Sequence, residues 1–207
     1  MRDSYNQIIG LDEAGLGPLD GPAVFAVVGL PRGIDLRLSR DSKTMTDDER
    51  FDAAYEILAN EEVRWGRQIA GVAAIDTDGI GPIWDLCYHE LLTIANSWGM
   101  WSSSRIILDG NRRPKSALGA RVECIVKADA RYVPVSAASV LAKCWQVAHM
   151  DRLDHQYPQY GFRKHHGYAT KDHISAIKEY GAVRGVHRAS YVQTLARKKG
   201  FTLNWRK

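Results

Sequence analysis

Cysteine is scarce in this chain: Cys87, Cys124 and Cys144 are the only three among 207 residues. They are scattered and odd in number, with no metal-ligand spacing. That excludes a disulfide framework and points to a reducing cytosol. No apolar run reaches ~18 residues, so no membrane span is expected. The opening stretch MRDSYNQ lacks the apolar core of a signal peptide, and a cytoplasmic location is the expectation. Repeats and low-complexity tracts are missing too. Acid is absent from the end of the chain: none follows Glu179, while seven Lys and Arg lie from Arg184 to Lys207. Such an end suits either a polyanion such as nucleic acid or plain solvation.

What is present suits one medium domain with a small appended piece. Apolar residues make up 45% of the chain, enough for a real core. Residues 7–12 read as a strand, and PAVFAVVGL (22–30) as a buried one, with a Gly/Pro turn between them. VRWGRQIAGVAAI (63–75) is a third strand candidate. TDDERFDAAYEILAN reads as a helix capped by Thr46, and PIWDLCYHELLTIANSW (82–98) as another, opened by Pro82. RIILDG (105–110) and RVECIVKAD (121–129) read as strands. A long helix is expected over 136–157, with Ala137, Val140, Leu141, Cys144, Val147 and Ala148 as its core stripe. A further helix over 170–181 is capped by Thr170 and ended by Gly181. The order implies an α/β layered domain with a mixed sheet.

Three expected strands end in acid: Asp12–Glu13, Asp109 and Asp129. Strand ends on one sheet edge converge into a crevice. Carboxylates there repel, at roughly 4 kcal/mol for a pair ~4 Å apart at an effective dielectric near 20. Divalent cations relieve that repulsion, and hard oxygen ligands suit Mg²⁺ or Mn²⁺. A pair of such ions suits phosphoryl transfer. Any single Asp is more often a turn cap; three together favour the metal site. Adjacent strand residues face opposite ways, so Asp12 and Glu13 share a site only if the strand ends between them. Gly15 and Gly17 are expected to supply that break and to bring backbone N–H groups close to an anion or a sugar.

The motifs resemble those of the ribonuclease HII family, in family order over about 180 residues. GLDEAGLGPLDGP (10–22) is similar to its opening motif, and RDSKTM (40–45) to its Asp-Ser-Lys motif. ILDGNRRPK (107–115) is similar to its Asp-Gly-Asn motif, with Asn111 as the Asn. VKADARYVPVSAASVLAK (126–143) resembles the last catalytic Asp and the helix after it. YPQYGFRKHHGYAT (157–170) and VHRASY (186–191) resemble the C-terminal blocks. The resemblance implies a ribonuclease H-like mixed sheet flanked by helices, over residues 1–157, with a helical substrate-binding extension over 158–207. It implies Asp12, Glu13, Asp109 and Asp129 as catalytic acids and ligands of two Mg²⁺ or Mn²⁺ ions. Gly15, Leu16, Gly17, Lys43, Asn111, Ser139, Lys143 and Tyr168 become substrate-side positions. Tyr168 matches a tyrosine that packs on the deoxyribose after a junction, where no 2′-OH intrudes. Lys43 matches a phosphate contact. The basic C-terminal stretch would hold the duplex backbone.

The implied activity is cleavage of RNA in RNA–DNA hybrids and of ribonucleotides embedded in duplex DNA, leaving 5′-phosphate and 3′-hydroxyl ends. The implied enzyme acts as a monomer away from membranes. Two departures stand out. Leu16 replaces the arginine of the family's Gly-Arg-Gly, removing a phosphate contact, and Gln146–Val147 replace an Arg-Asp pair. One rival reading is therefore a hybrid-cutting nuclease without junction preference. A non-catalytic hybrid-binding module is disfavoured by the four acids, which pure phosphate binding would be better without. A zinc protein is suggested only by six of the seven histidines lying in 149–187, whose spacing fits no Cys/His pattern.

Overall fold

A computed structural model describes residues 7–31, 45–99, 104–115 and 122–206. These fall into two compact units. One comprises the described residues within Met1–Ala14, Val24–Ile69 and Trp84–Cys144; the other, those within Gly15–Ala23, Ala70–Ile83 and Trp145–Lys207.

The first unit is built on a five-stranded mixed sheet. Its strands are β1 (Gln7–Ala14), β2 (Ala23–Pro31), β3 (Arg64–Ala70), β4 (Ser104–Asp109) and β5 (Val122–Ile125), in the order β3-β2-β1-β4-β5. β1 pairs antiparallel with β2 and parallel with β4, and β4 pairs parallel with β5. β2 is buried along nearly its whole length, which is why it reads as one apolar run rather than an alternation. β3, at the edge, shows Trp65 and Ile69 to solvent.

Helix α1 (Asp47–Ala59) starts at Thr46, whose hydroxyl and the Glu49 carboxylate form a capping box. Helix α2 (Val72–Asp78) occupies the end of what the sequence suggests is one long strand. Gly71 breaks the run, and β3 stops at Ala70. Helix α3 spans Ile80–Ser97, and helix α4 spans Val133–Gln156, starting three residues earlier than expected. The start of α4 lies hard against β1. A Cβ on Gly10 would come within 2.3 Å of the Pro134 and Val135 backbone, so only glycine fits there. This contact brings the first turns of α4 beside the strand that carries Asp12.

In the second unit, α5 (Phe162–His165), α6 (Lys171–Tyr180) and α7 (Ala189–Lys199) pack with the short strands β6 (Ala182–Val183) and β7 (Trp205–Arg206). Its core gathers Leu19, Met150, Leu153, Tyr160, Phe162, Ile177, Val183 and Val192. Thr170 caps α6, and Gly181 ends it at φ 81°. Helix α7 lies inside the stretch read from sequence only as a basic end. Arg197, Lys198 and Lys199 sit in its last turn, where cations complement the helix dipole. Among the described residues, no helix is long and apolar enough to cross a membrane, and all three cysteines are free.

Candidate active site

Asp12 lies on β1, still paired to β2, and Asp109 ends the neighbouring β4; each is one step beyond the last pair of the β1–β4 ladder, Leu11 and Leu108. Asp129 arrives differently. It lies not at a strand end but in a turn of 3-10 helix, Ala128–Ala130, entered through Lys127 at φ 58°. β5 is shorter than expected and stops at Ile125. Asp109 itself draws this turn in: its carboxylate accepts from the Ala128 N–H at 2.7 Å. Asp129 accepts from the Ala130 N–H at 3.0 Å. Turn-capping and metal-ligand geometry are thus not alternatives here, since one carboxylate has enough lone pairs for both. Ile107, Ala128 and Val135 form the apolar floor of this region, joined by Ile8, Ile125 and Tyr132.

The result is a trio. Asp12, Asp109 and Asp129 each offer a carboxylate oxygen within 4.8 Å of the others, with Asp12 and Asp129 buried. Burial pushes the Asp12 carboxyl well above its usual range, and the neighbouring charges of Glu13 and Asp109 add to the push. The Ser139 side chain, on α4, hydrogen-bonds Asp12 and opposes them.

Glu13 stands outside the trio. The expected strand break between Asp12 and Glu13 does not occur. β1 continues through both, with Asp12 opposite Ala26, Glu13 opposite Phe25 and Ala14 opposite Val24. The ladder of β2 holds the strand extended to Ala14, and Gly15, at φ 82°, makes the turn only afterwards. Glu13 instead receives a hydrogen bond from the Tyr88 hydroxyl of α3. Burial raises its carboxyl; the Tyr88 hydroxyl opposes that, and the nearby Asp109 charge adds to it. Tyr88 is fully buried, edge-on to Phe25 at 5.4 Å and to Trp84 at 4.6 Å, so its hydroxyl is aimed by packing. The loop after Asp109 is pinned to the same helix. Arg112 lies over the Trp84 ring at 4.2 Å and bonds the Asp85 carboxylate at 2.8 Å. Asn111, within that loop, is exposed.

The glycine turn belongs to the second unit. Arg188 organises it. This guanidinium is fully buried and donates to the carbonyls of Gly15 at 2.6 Å, Leu16 at 3.0 Å and Gly21 at 3.0 Å. The Tyr191 hydroxyl adds a second bond to the Leu16 carbonyl at 3.0 Å. These bonds hold the Gly15 and Leu16 carbonyls on the Arg188 side of the turn. Tyr168, 46% exposed, sets its ring edge against Gly17, where an added Cβ would lie 3.6 Å from Cε1. Gln146 is fully buried and donates from Nε2 to the His166 carbonyl at 3.1 Å. The residue standing in place of the family's arginine thus anchors the Tyr168 segment by a neutral bond.

Of the remaining expected positions, Lys143 on α4 is lowered by burial and by the Arg50 guanidinium, with Asp47 opposing. Lys43 lies outside the described residues. The hold of Arg188 and Tyr191 on the glycine turn is not among the expectations from sequence. The stretch VHRASY was read as a motif and Arg188 as part of a basic surface, but its charge is spent internally and does not reach solvent. The arginine sits between a histidine and an alanine in an otherwise uncharged run; that pattern was the available signal.

The chain matches the model of the family described as Ribonuclease HII over residues 9–194. It is 39% identical to Ribonuclease HII of Neisseria gonorrhoeae, over 84% of this chain and 87% of that protein. Among solved structures it resembles the RNase HII of the PCNA:RNase HII complex from Archaeoglobus fulgidus, with a TM-score of 0.68 and 26% identity over 83% of this chain and 85% of that one. It also shares its fold with Bst-RNase HIII, solved in complex with Mn²⁺, with a TM-score of 0.73 and 19% identity over 95% of this chain and 72% of that one. With a three-carboxylate cluster drawn from β1, the end of β4 and the turn after β5, a sequence match of this extent leaves one assignment: the chain belongs to the ribonuclease HII family and is a ribonuclease H, a hydrolase.

Proposed function

We propose that this ribonuclease H is a divalent-cation-dependent endoribonuclease. It cuts the RNA strand of RNA–DNA hybrids and single ribonucleotides embedded in duplex DNA, leaving 5′-phosphate and 3′-hydroxyl ends. The observation that carries the reading is the trio of Asp12, Asp109 and Asp129, with oxygens within 4.8 Å of one another and two of the three residues buried.

The donor set fits a hard divalent cation. It is all carboxylate, and burial together with the Glu13 charge disfavours the ionised form of Asp12. Asp12, Asp109 and Asp129 would hold Mg²⁺ or Mn²⁺, with Glu13 completing the set. The cation supplies Lewis-acid stabilisation of the charge that builds on the phosphate oxygens. The chain's own residues do the rest. Ser139 orients Asp12, the Ala128 N–H orients Asp109, and the Tyr88 hydroxyl holds Glu13 in place. The Gly15–Gly17 backbone, locked by Arg188 and Tyr191, offers a rigid surface to the ribose. Tyr168 offers an exposed ring face to the next sugar, where a 2′-OH would obstruct stacking. Lys43 would contact a phosphate, and Asn111 and Lys143 stand as substrate-side positions.

The test is cleavage of duplex DNA carrying one ribonucleotide, with Mg²⁺ and with Mn²⁺. Asp12→Asn and Asp129→Asn should each abolish cutting with the fold intact, and should lose the rise in melting temperature that Mg²⁺ gives the wild type. Full activity in either variant would remove the acid assignment. Leu16 supports a second reading, in which all-RNA hybrids are cut but lone ribonucleotides are not; comparing the two substrates separates them.

A further inference from the structure

Asp20 in the glycine turn, His173 on α6 and His187 after β6 form a second cluster, within the second unit. Each is at most 1% exposed. One carboxylate oxygen and one nitrogen from each ring lie within 4.8 Å of one another. Neither Asp20 oxygen, nor Nε2 of His173 or His187, has a hydrogen-bond partner among the described residues. The closest approach of Asp20 Oδ2 to His173 Nε2 is 3.9 Å, too long for a direct bond. Buried polar atoms left in this way call for a guest.

The ring protons identify it. His173 Nδ1 lies 2.9 Å from the Tyr168 carbonyl, which only accepts. Nδ1 therefore carries the proton, and Nε2 presents a lone pair. His187 is the reverse: its Nδ1 accepts from the Val183 N–H at 3.0 Å, so its Nε2 carries the proton. Both rings are neutral, since burial pushes His173 down to about 3 and His187 down to about 4. A metal ion would need a lone pair on His187 Nε2. That would move the proton to Nδ1 and set it against the Val183 N–H. The spacing also disfavours a metal. Ligands on arms of ~2.1 Å stand ~3.4 Å apart at a tetrahedral angle, less than the 3.9 Å seen. Partners of a water, on arms of ~2.8 Å, stand up to ~4.6 Å apart at that angle.

We propose that Asp20, His173 and His187 enclose one ordered water, and that this cell positions the segment bearing Tyr168. The water accepts from His187 Nε2–H and donates to His173 Nε2 and to an Asp20 carboxyl oxygen. Three bonds are the usual complement of a buried water. The groups around the cell are fixed. The His165 ring stacks on His173 at 4.3 Å. Burial pushes the Asp20 carboxyl well above its usual range, and the Arg188 guanidinium opposes that push. The link to Tyr168 is short. His173 Nδ1–H holds the Tyr168 carbonyl, and the Tyr168 N–H donates to the His165 carbonyl at 2.9 Å. Leu19 N–H donates to the Gly167 carbonyl at 2.8 Å. Gly167 itself, at φ 83°, packs so close that a Cβ would lie 2.3 Å from Asp20 Oδ1. The effect on catalysis rests on the junction-reading role given to Tyr168 above; the water and the anchoring do not.

The experiment uses the full chain. Long-range ¹⁵N–¹H correlation of the wild-type imidazoles should show His173 as the Nδ1–H tautomer and His187 as the Nε2–H tautomer, unchanged from about pH 8 to about pH 5.5. Elemental analysis of protein purified without chelator should find no stoichiometric transition metal. A bound metal, or an Nδ1–H on His187, overturns the water assignment. Asp20→Leu, or the smaller lesion Asp20→Ala, should cut hydrogen-exchange protection at the Gly167 and Tyr168 amides about tenfold or more, with the amides of α7 unaffected. Asp20→Asn, which still accepts a bond, should keep that protection. Unchanged protection in Asp20→Leu and Asp20→Ala overturns the positioning role. With protection lost, KM on a single-ribonucleotide substrate should rise severalfold while kcat holds. A KM that stays put despite lost protection supports the anchoring and counts against the role given to Tyr168.

Discussion

Arg188 donates to the Gly15 carbonyl across 2.6 Å, although 173 residues separate them. The same guanidinium reaches Leu16 and Gly21, so one buried side chain satisfies three carbonyls of the turn. Truncating it leaves those oxygens buried without that partner, at roughly 1–3 kcal/mol for each unsatisfied group. Arg188→Met should therefore destabilise the protein by several kcal/mol, and Arg188→Lys by about 2 kcal/mol or more, because a point charge cannot replace a planar fork. Denaturant unfolding measures both. The cleavage rate of Arg188→Lys should fall more on a single-ribonucleotide duplex than on an all-RNA hybrid, since the turn is the part disturbed. Equal falls would show that the turn does not read the junction.

Tyr88 gives a test of Glu13. Its hydroxyl bond favours the ionised carboxylate against burial. Tyr88→Phe removes that donor without changing the ring packing. The acid limb of the kcat/KM–pH profile, at fixed Mg²⁺, should then move to higher pH. An unmoved limb would separate Glu13 from the titration that controls activity.

Stability against pH should carry two opposite signs. His173 and His187 have folded values pushed down to about 3 and about 4, against 6.5 unfolded. Their contribution is complete above pH 6.5 and is lost as the pH falls below it, because the unfolded chain then binds protons the native rings refuse. Each adds a slope of up to about 1.4 kcal/mol per pH unit. Asp12 and Glu13 are raised, so without metal their contribution is greatest below their unfolded values and is lost as the pH rises through the folded ones. Asp12→Asn should thus raise the melting temperature of metal-free protein near neutral pH, and His187→Phe should flatten the acid-side loss. Thermal melts across pH, with EDTA and with Mg²⁺, separate the two.

Much of this was legible because apolar runs closed by acid mark strand ends: Asp12 and Asp109 sit on neighbouring parallel strands, as that pattern implies. Asp129 was legible as a member of the acid cluster but not as a turn residue, because the αL backbone at Lys127 has no signature in a lysine. The strand end expected between Asp12 and Glu13 is absent for a physical reason. Glycines two and four residues further on suggest an early strand end, but pairing to β2 keeps β1 extended through Ala14. Arg188 was hidden because charge in a sequence says nothing of burial. The partners that bury it lie in a turn more than 160 residues away. Helix α7 was overlooked for a similar reason: its clustered cations mask the Val192, Leu195 and Ala196 face that packs inward.

Leu16 is where this chain departs from its family most directly, and the structure sharpens what an arginine there would do. The Leu16 carbonyl is bound by both Arg188 and Tyr191, so the backbone keeps its place whatever side chain the residue carries. Leu16→Arg then changes only the side chain, which is half-buried. A guanidinium that gains one charge-assisted phosphate bond is worth roughly 1.5–3 kcal/mol. Cleavage of a single embedded ribonucleotide should improve about tenfold or more, mainly through KM, since 1.4 kcal/mol is about a factor of ten. Raising the salt should shrink the gain, because the new contact releases a counterion. The Tyr168→Ala background gives the control. Stacking on the deoxyribose and gripping its phosphate are separate contacts, so the gain from arginine should survive there on a lower baseline. A Leu16→Arg protein that folds normally yet cuts the junction no faster would mean that another cation already neutralises that phosphate.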